Sequence, residues 1–184
     1  HVREVDAIIH LTRCFDSEKI QNVNKDVNPI RDLEIIETEI LLSDLESLEK
    51  RLEKSNKKKL EKDELNFLEE CKKLINDGKK PNELREKYNK DIIKKSALLS
   101  LKPKIIVCNV DEKSLPNGNK YSDACKKKFP NENMIIICAD IEDQIMGLQA
   151  NDRKDFMLES GIKSTGLDNL IKTGYSTLGL STFF

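Results

Sequence analysis

Runs of apolar residues along the chain predict three short strands, each followed by helical sequence. The candidate strands are Asp6–Leu11, Lys104–Cys108 and Met134–Cys138. Each run is continuous rather than alternating, as is typical of strands covered on both faces in a parallel sheet. The order of strands and helices therefore predicts an α/β fold with parallel strands and right-handed crossovers.

A sheet of three strands is thin beside the about five or six strands of a doubly wound domain. Either further strands pair with these three, or part of the domain lies outside the chain. The chain begins with His1 rather than Met, which favours a piece of a longer protein.

Between the first two strands, the apolar pattern has the period of amphipathic helices. Asn28 and Pro29 supply an N-cap and a first-turn proline. Apolar residues then recur every three or four positions as far as Leu52, and again from Leu60 to Ile75, with a polar turn over Ser55–Lys59. Two such helices are expected to pack as an antiparallel hairpin with a narrow seam.

Further helices are predicted on the way back to the sheet and after it. They cover Asn82 to about Leu99, Ile141–Leu148, Asp152–Ser160, and a segment that begins with the cap-like Ser164–Asp168 and ends near Gly179. Leu180–Phe184 then has the composition of a further strand.

Charge is balanced overall but unevenly distributed. The 184 residues include 32 basic and 33 acidic side chains, so the whole chain has no field that attracts nucleic acid or an anionic membrane. The longest apolar run, Met134–Ala139, is far shorter than the ~20 residues of a membrane-spanning helix. Positions 46–95 hold 16 basic and 12 acidic residues, so most of the charge lies in the helical region.

Two interpretations of the charged hairpin stay open. It is either a solvated structural arm or an arm that binds a partner. In the second case Lys57, Lys58 and Lys59, in the proposed turn, could contact the phosphates of an RNA.

The five cysteines, at positions 14, 71, 108, 125 and 138, form no Cys-x-x-Cys pair. Scattered thiols in an odd number fit a reducing compartment, and therefore the cytosol, better than a disulfide framework. With two histidines and no Cys/His cluster, no zinc site is expected. His10 is interpreted as a core histidine and Cys14 as a structural thiol, although the neighbouring Arg13 could lower the pKa of that thiol.

The candidate site is the sequence Asn109-Val110-Asp111-Glu112 at the end of the second strand. In open α/β sheets, ligands bind beyond the carboxyl ends of the strands. An Asn amide can pair with the N7 edge of a purine, and a carboxylate can accept from N1 and N2 of guanine. A second strand end, Cys138-Ala139-Asp140, is expected beside it.

This sequence is similar to the Asn-Lys-x-Asp base-reading element of GTPase-like domains, with two departures. Val110 stands in the place of the Lys, and Glu112 in the place of the Asp. A longer carboxylate without the supporting Lys should weaken the preference for guanine, so adenine stays open as the base. The alternative is that Asn109 caps a turn and both acidic side chains are solvated.

Short elements spread from end to end of the chain carry a family resemblance. In order they are His1–Ile8, Arg13-Cys14-Phe15, Asn28–Glu34, Leu41–Lys54, Asn109-Val110-Asp111-Glu112, Gly166-Leu167-Asp168, Gly174-Tyr175 and Leu178–Phe184. Together they resemble the YchF subfamily of Obg-like ATPases.

The resemblance implies a Ras-like nucleotide-binding domain that is interrupted by a coiled-coil hairpin and followed by a TGS domain. It also implies a cytoplasmic ATPase that uses ATP in preference to GTP, requires Mg²⁺ and associates with ribosomes. Asn109, Val110 and Glu112 would then be the altered base reader. Cys138 and Ala139 would form the second base-side loop, with Cys138 where other GTPase-like proteins have Ser.

The implied organisation divides the chain into four parts. These are the first part of the nucleotide-binding domain at 1–28, the hairpin at 29–80, the second part of that domain at 81–179, and the start of a truncated TGS domain at 180–184.

The Gly-x-x-x-x-Gly-Lys-[Ser/Thr] phosphate loop and the Asp-x-x-Gly switch do not occur in the chain. The resemblance places both before His1, so the chain alone is expected to be inactive, and no catalytic or metal-binding residue is assigned. The alternative function is a non-catalytic helical module that binds a partner and uses nucleotide only as a switch.

Overall fold

A computed structural model describes residues 4–17, 26–55 and 60–180. Its strands are β1 (Ile8–Arg13), β2 (Lys104–Asn109) and β3 (Asn133–Ile137). Its helices are α1 (Pro29–Ser55), α2 (Lys62–Asn76), α3 (Leu84–Lys87), α4 (Lys90–Ser96), α5 (Lys120–Lys128), α6 (Ala139–Gly147), α7 (Ala150–Glu159) and α8 (Gly166–Leu178). The predicted fold class, a three-stranded parallel sheet interrupted by an antiparallel helical hairpin, is confirmed.

The three strands are parallel and lie in the order β1-β2-β3. In the register of the sheet, Arg13 pairs with Asn109, and Asn109 pairs with Ile137. The ladder continues one residue further, because the Cys14 N–H donates to the Asn109 carbonyl at 2.7 Å and the Val110 N–H donates to the Ile137 carbonyl at 2.8 Å. The carboxyl ends of all three strands therefore meet at one edge.

β2 is buried on both faces. Ile106 and Cys108 pack on one face, in a cluster with Cys125 of α5, while Ile105 and Val107 pack on the other, against β3 and Leu170 of α8. Each buried aliphatic side chain of this kind contributes about 1.5–3 kcal/mol to stability. The strand that carries the candidate site is thus paired along both edges and packed on both faces.

β1 differs from its prediction in position and in burial. It begins at Ile8 rather than Asp6, and Ile9 and Leu11 are 52% and 65% exposed. The expectation that both faces are covered is therefore wrong for β1 in the described part of the chain. As the edge strand it buries alternate residues, His10 and Thr12, whereas the central strand β2 buries both sets.

α1 begins as the sequence predicts. The Arg31 N–H donates to the Asn28 side-chain oxygen at 3.0 Å, so Asn28 is the N-cap and Pro29 occupies the first turn.

α1 and α2 form the predicted antiparallel hairpin. Leu48 of α1 packs with Phe67, Leu68 and Cys71 of α2, and none of these four side chains is exposed. Two ion pairs, Arg51 with Glu64 at 3.4 Å and Glu49 with Lys72 at 3.3 Å, show that the helices run in opposite directions. The proposed turn, including Lys57, Lys58 and Lys59, lies outside the described residues.

The single helix predicted from Asn82 to about Leu99 is wrong. Turns of 3₁₀ helix at Pro81–Glu83 and Leu99–Leu101 flank the two short helices α3 and α4. Tyr88 is extended, with φ −115° and ψ 155°, and the Asn89 side chain accepts the Asp91 N–H at 2.8 Å. An Asn at this position competes with helix hydrogen bonds and starts a new helix instead.

The helices after β3 are confirmed, each within about two residues of its predicted start. Gly179, with φ +64°, ends α8 as expected. Residues 181–184 of the predicted last strand lie outside the described residues. No helix in the described ranges combines the length and the apolar character that crossing a membrane requires.

The chain divides into two compact units. One contains Glu34–Lys102 together with the start of the chain as far as Asp6, and the other contains Ala7–Leu33 and the chain from Pro103 onwards. The four-part division at 28, 80 and 179 remains a prediction.

Within the first unit, a buried carboxylate joins α1 to the segment that leads towards β2. Asp44 has no exposed surface, and it accepts hydrogen bonds from the backbone N–H groups of Leu99 at 2.9 Å and Ser100 at 2.8 Å. These bonds satisfy two of the N–H groups at the start of the 3₁₀ turn.

Replacing Asp44 with Ala should lower the free energy of unfolding by about 2–4 kcal/mol, because two N–H groups lose their acceptor. Asp44→Asn keeps one acceptor oxygen, so its free energy of unfolding should fall by less. The measurement is the midpoint of urea unfolding. Glu46→Ala is the matched control: that side chain is 74% exposed and pairs only loosely with Lys50, at 3.9 Å. Equal midpoints for Asp44→Ala and Glu46→Ala would contradict the role of Asp44.

Candidate functional site

Asn109 connects the ends of two structural elements at the sheet edge. It is the last residue of β2, and its side-chain oxygen accepts the backbone N–H of Ala139, the first residue of α6, at 2.9 Å. This bond satisfies one of the free N–H groups at the start of the helix and fixes which amide atom is the oxygen. The Asn109 Nδ2 group makes no hydrogen bond to the described residues, so its two donors remain available.

Val110 and Cys138, which follow β2 and β3 at this edge, are both buried. Val110 is 1% exposed and packs in the cluster with Cys14 and Cys108, and Cys138 is 2% exposed and packs against Ile141. Their side chains cannot reach a ligand. Each can take part only through its backbone and by holding its loop in place.

Asp111 and Glu112 have different environments. The Asp111 carboxylate accepts the Ser114 hydroxyl, and its backbone carbonyl accepts the Ser114 N–H at 3.0 Å. Glu112 begins the 3₁₀ turn Glu112–Ser114 and is exposed. Of the two acids, Asp111 is therefore used to form the turn, and Glu112 is left facing solvent.

Asn119 is a residue of the site that the sequence reasoning missed. Its Nδ2 donates to the Cys14 carbonyl at 2.7 Å and to the Ser114 hydroxyl at 3.1 Å. Its Oδ1 accepts the N–H groups of Tyr121 at 3.0 Å and Ser122 at 3.3 Å, which caps α5. One side chain thus ties the end of β1, the acidic turn and the start of α5 together. The capping pattern Asn119-x-x-Ser122 was the available signal.

The residue before it, Gly118, lets the loop close against the sheet. Its φ is +90°, and a Cβ there would lie 2.7 Å from the Ile136 Cδ1 atom of β3. Any other residue would be strained and would collide with its neighbours. The loop from Val110 to Asn119 therefore has one well-defined path.

The Gly166-Leu167-Asp168 element lies beside the same part of the sheet. The Glu142 carboxylate of α6 accepts the N–H groups of Gly166 at 2.6 Å and Leu167 at 3.2 Å. A Cβ on Gly166 would lie 2.5 Å from the Ile137 Cγ2 atom at the end of β3. α8 therefore starts in direct contact with the strand end that precedes Cys138 and Ala139.

Beneath this edge, three cysteines that are far apart in the sequence meet. Cys14, Cys108 and Cys125 have no exposed surface, and their Sγ atoms lie within 4.8 Å of one another. Hydrogen bonds from Cys108 and Cys14 lower the pKa of the Cys125 thiol, while burial opposes them. Hydrogen bonds with Cys108 and Cys125, together with burial, raise the pKa of the Cys14 thiol. All five cysteines are free thiols, and no disulfide joins any of them.

A scan against protein-family models finds no match. The chain is 37% identical over 195 residues to the "Ribosome-binding ATPase YchF" of Bacillus subtilis, and 35% identical over 192 residues to the protein of that name from Escherichia coli O157:H7. Each alignment covers the whole chain and 53% of the relative.

A solved structure, that of the Schizosaccharomyces pombe YchF GTPase, matches with a TM-score of 0.80 and 31% identity, over 97% of this chain and 51% of that one. Across its whole length the chain is homologous to YchF proteins. The resemblance predicted from the sequence is thus confirmed. The chain spans about half the length of the YchF relatives it matches.

Replacing Asn119 with Ala should lower the free energy of unfolding by about 1–2 kcal/mol through the lost cap alone. Because the bond to the Cys14 carbonyl is lost too, hydrogen exchange of the backbone amides from Val110 to Gly118 should become faster. Asn89→Ala is the matched control, since it removes a cap from α4 in the other unit. Unchanged protection of this loop in Asn119→Ala would show that Asn119 does not hold it.

Proposed function

We propose that this chain supplies the base-binding side of the nucleotide site in a YchF-type protein that hydrolyses ATP in preference to GTP and associates with ribosomes. The observation that carries the proposal is the contact of Asn109 with Ala139, which leaves the amide donors of Asn109 available at the common edge of the strands. The names of the relatives, ribosome-binding ATPase and GTPase, support nucleotide hydrolysis in such a protein, and the first of them supports a ribosomal partner.

In this proposal each residue of the edge has its own role. Asn109 Nδ2 donates to N7 of the purine, because its oxygen is already bonded to the Ala139 N–H. Ala139 is exposed and forms the floor of the base site. Val110 and Cys138 hold the two loops through their buried side chains. The exposed Glu112 carboxylate faces the other edge of the base.

Glu112 is proposed to determine which purine binds. A carboxylate accepts from N1 and N2 of guanine, but it needs the correct length to reach both donors. A longer carboxylate on a loop without a supporting Lys gives up that clamp, so guanine loses its advantage over adenine. The site then no longer selects guanine, which leaves ATP open as the substrate.

The phosphate chemistry belongs to other parts of such a protein. The chain contains no Gly-x-x-x-x-Gly-Lys-[Ser/Thr] sequence, so the chain by itself is proposed to bind the base without hydrolysing the nucleotide. Mg²⁺ prefers oxygen ligands. In the described ranges, one cluster of three potential metal ligands is present, the thiols of Cys14, Cys108 and Cys125. Thiols do not suit Mg²⁺.

The α1–α2 hairpin is proposed as the arm that contacts the ribosome, in a cytoplasmic protein. The name of the curated relatives, ribosome-binding ATPase, supports a ribosomal partner. Leu48 and Phe67 lie in an apolar cluster that holds the two helices together. Exposed and loosely paired charges such as Glu46 and Lys50, 3.9 Å apart, can therefore serve a partner. Lys57, Lys58 and Lys59, in the sequence between the two helices, are the proposed phosphate contacts.

Replacing Glu112 with Asp in the full-length protein should raise the affinity for GTP relative to ATP, by up to ~1–3 kcal/mol for one good bidentate base contact. Titration with both nucleotides measures the ratio. Val110 stands where GTPase-like domains have Lys, but it is left unchanged in this test. It is 1% exposed, so a lysine there would be buried.

Two further variants make this test specific. Glu159→Asp makes the same change at an exposed position at the end of α7 and should leave the ratio as it is. Asn109→Ala should weaken both nucleotides together, because N7 is common to both purines. An unchanged ratio in Glu112→Asp would refute the role of Glu112, and undiminished affinities in Asn109→Ala would refute the base site itself.

Replacing Lys57, Lys58 and Lys59 with Ala in the full-length protein should reduce cosedimentation with ribosomes and leave ATP turnover unchanged. The loss should be largest at low salt, because phosphate contacts release counterions. The matched control replaces the exposed lysines 126, 127 and 128 at the end of α5. Lost turnover, or equal cosedimentation of the two triple variants, would rule out a separate ribosome-binding arm.

A further inference from the structure

The cluster formed by Cys14, Cys108 and Cys125 is built from three separate elements of the fold. Cys14 follows β1, Cys108 lies within β2, and Cys125 lies in the last turns of α5. The three sulphur atoms come together because β1 and β2 are paired in register and α5 packs on that face of the sheet. The proposed nucleotide site makes no use of these thiols.

The spacing of the sulphur atoms is close to that of a three-coordinate thiolate site. Three sulphurs at ~2.3 Å from a common centre are about 4 Å apart in a trigonal plane. In this structure the Sγ atoms lie within 4.8 Å of one another. Side-chain adjustments of less than about 1 Å would bring all three to a central ion, which is small beside the rotamer freedom of a cysteine.

We propose that Cys14, Cys108 and Cys125 form a binding site for a soft, thiophilic metal ion, and that this ion is Cu(I). Thiolate ligands select Cu(I) and Zn²⁺ among the available metals. Zn²⁺ almost always takes four ligands, whereas the described residues supply three at this place, with apolar neighbours such as Leu33 and Ile106. A three-sulphur site therefore fits Cu(I) better than Zn²⁺.

Binding at this site is an exchange of protons for a metal ion. Each thiol that coordinates as a thiolate releases its proton to solvent, and copper stays in the Cu(I) state throughout. The apparent affinity should therefore rise with pH. Because all three cysteines are fully buried, the ion enters during folding or through local opening of this face.

The test is an anaerobic titration of the reduced, full-length protein with Cu(I), in competition with a chromophoric Cu(I) chelator. The wild-type protein should retain one Cu(I) that depends on the cluster. Cys14→Ala, Cys108→Ala and Cys125→Ala should each weaken this binding by at least ~10–100-fold, since the loss of even an outer-sphere partner of a metal ligand has an effect of that size.

Two other buried cysteines provide matched controls. Cys71 and Cys138 are 0% and 2% exposed and lie outside the cluster, so Cys71→Ala and Cys138→Ala should bind Cu(I) as the wild type does. Wild-type protein that cannot compete with the chelator would overturn the proposal. Equal losses of Cu(I) binding in the control variants would overturn it too. So would a finding that the same three thiols bind Zn²⁺ but not Cu(I).

A measurement on the wild-type protein keeps the test valid if a cluster variant fails to fold. X-ray absorption at the copper edge should show a shell of sulphur atoms only, and the midpoint of thermal unfolding should rise when Cu(I) is bound, since the ion stabilises the folded state that holds it. A copper shell of nitrogen or oxygen, or an unchanged midpoint, would contradict a site in this cluster.

Discussion

The parallel pairing of β2 with both of its neighbours is the constraint on which the candidate site depends. β2 is hydrogen-bonded on both sides and buried on both faces, so its carboxyl end has a single position. The bonds from Cys14 to Asn109 and from Val110 to Ile137 extend this order past the last strand residues. The Asn109 amide can reach the start of α6 only because all three strand ends are fixed together in this way.

The helical hairpin is stabilised by different interactions from those of the sheet. Its core is a seam of aliphatic and aromatic side chains, including Leu48, Phe67 and Leu68. Its polar anchor is Asp44, a buried carboxylate that accepts the backbone N–H groups of Leu99 and Ser100. At the surface, the ion pairs of Arg51 with Glu64 and of Lys72 with Glu49 join the two helices. The abundance of charge over 46–95 is then compatible with a stable hairpin.

The sequence predicted elements well where a strand is buried on both faces. It predicted them poorly where exposure at a sheet edge or a local side-chain bond decides the structure. The apolar run Lys104–Cys108 marked β2 almost to the residue, because the central strand buries four consecutive residues, Ile105–Cys108. β1 was placed two residues early, since an edge strand with Ile9 and Leu11 exposed has the same composition as a buried one. The break at Tyr88 and Asn89 was missed because a single side-chain bond to the backbone outweighed a helical apolar pattern.

Asn119 and the cysteine cluster show why the site could be predicted only in part. The strand-end rule was enough to single out Asn109 and Ala139, since it depends on topology alone. Asn119 acts through the carbonyl of a residue 105 positions away, and Cys14 meets Cys108 and Cys125 only once the register of β1 and β2 is set. The carbonyl that Asn119 binds is that of Cys14 itself. The loop from Val110 to Asn119 and the cluster of three sulphur atoms therefore both depend on the same short piece of backbone after β1.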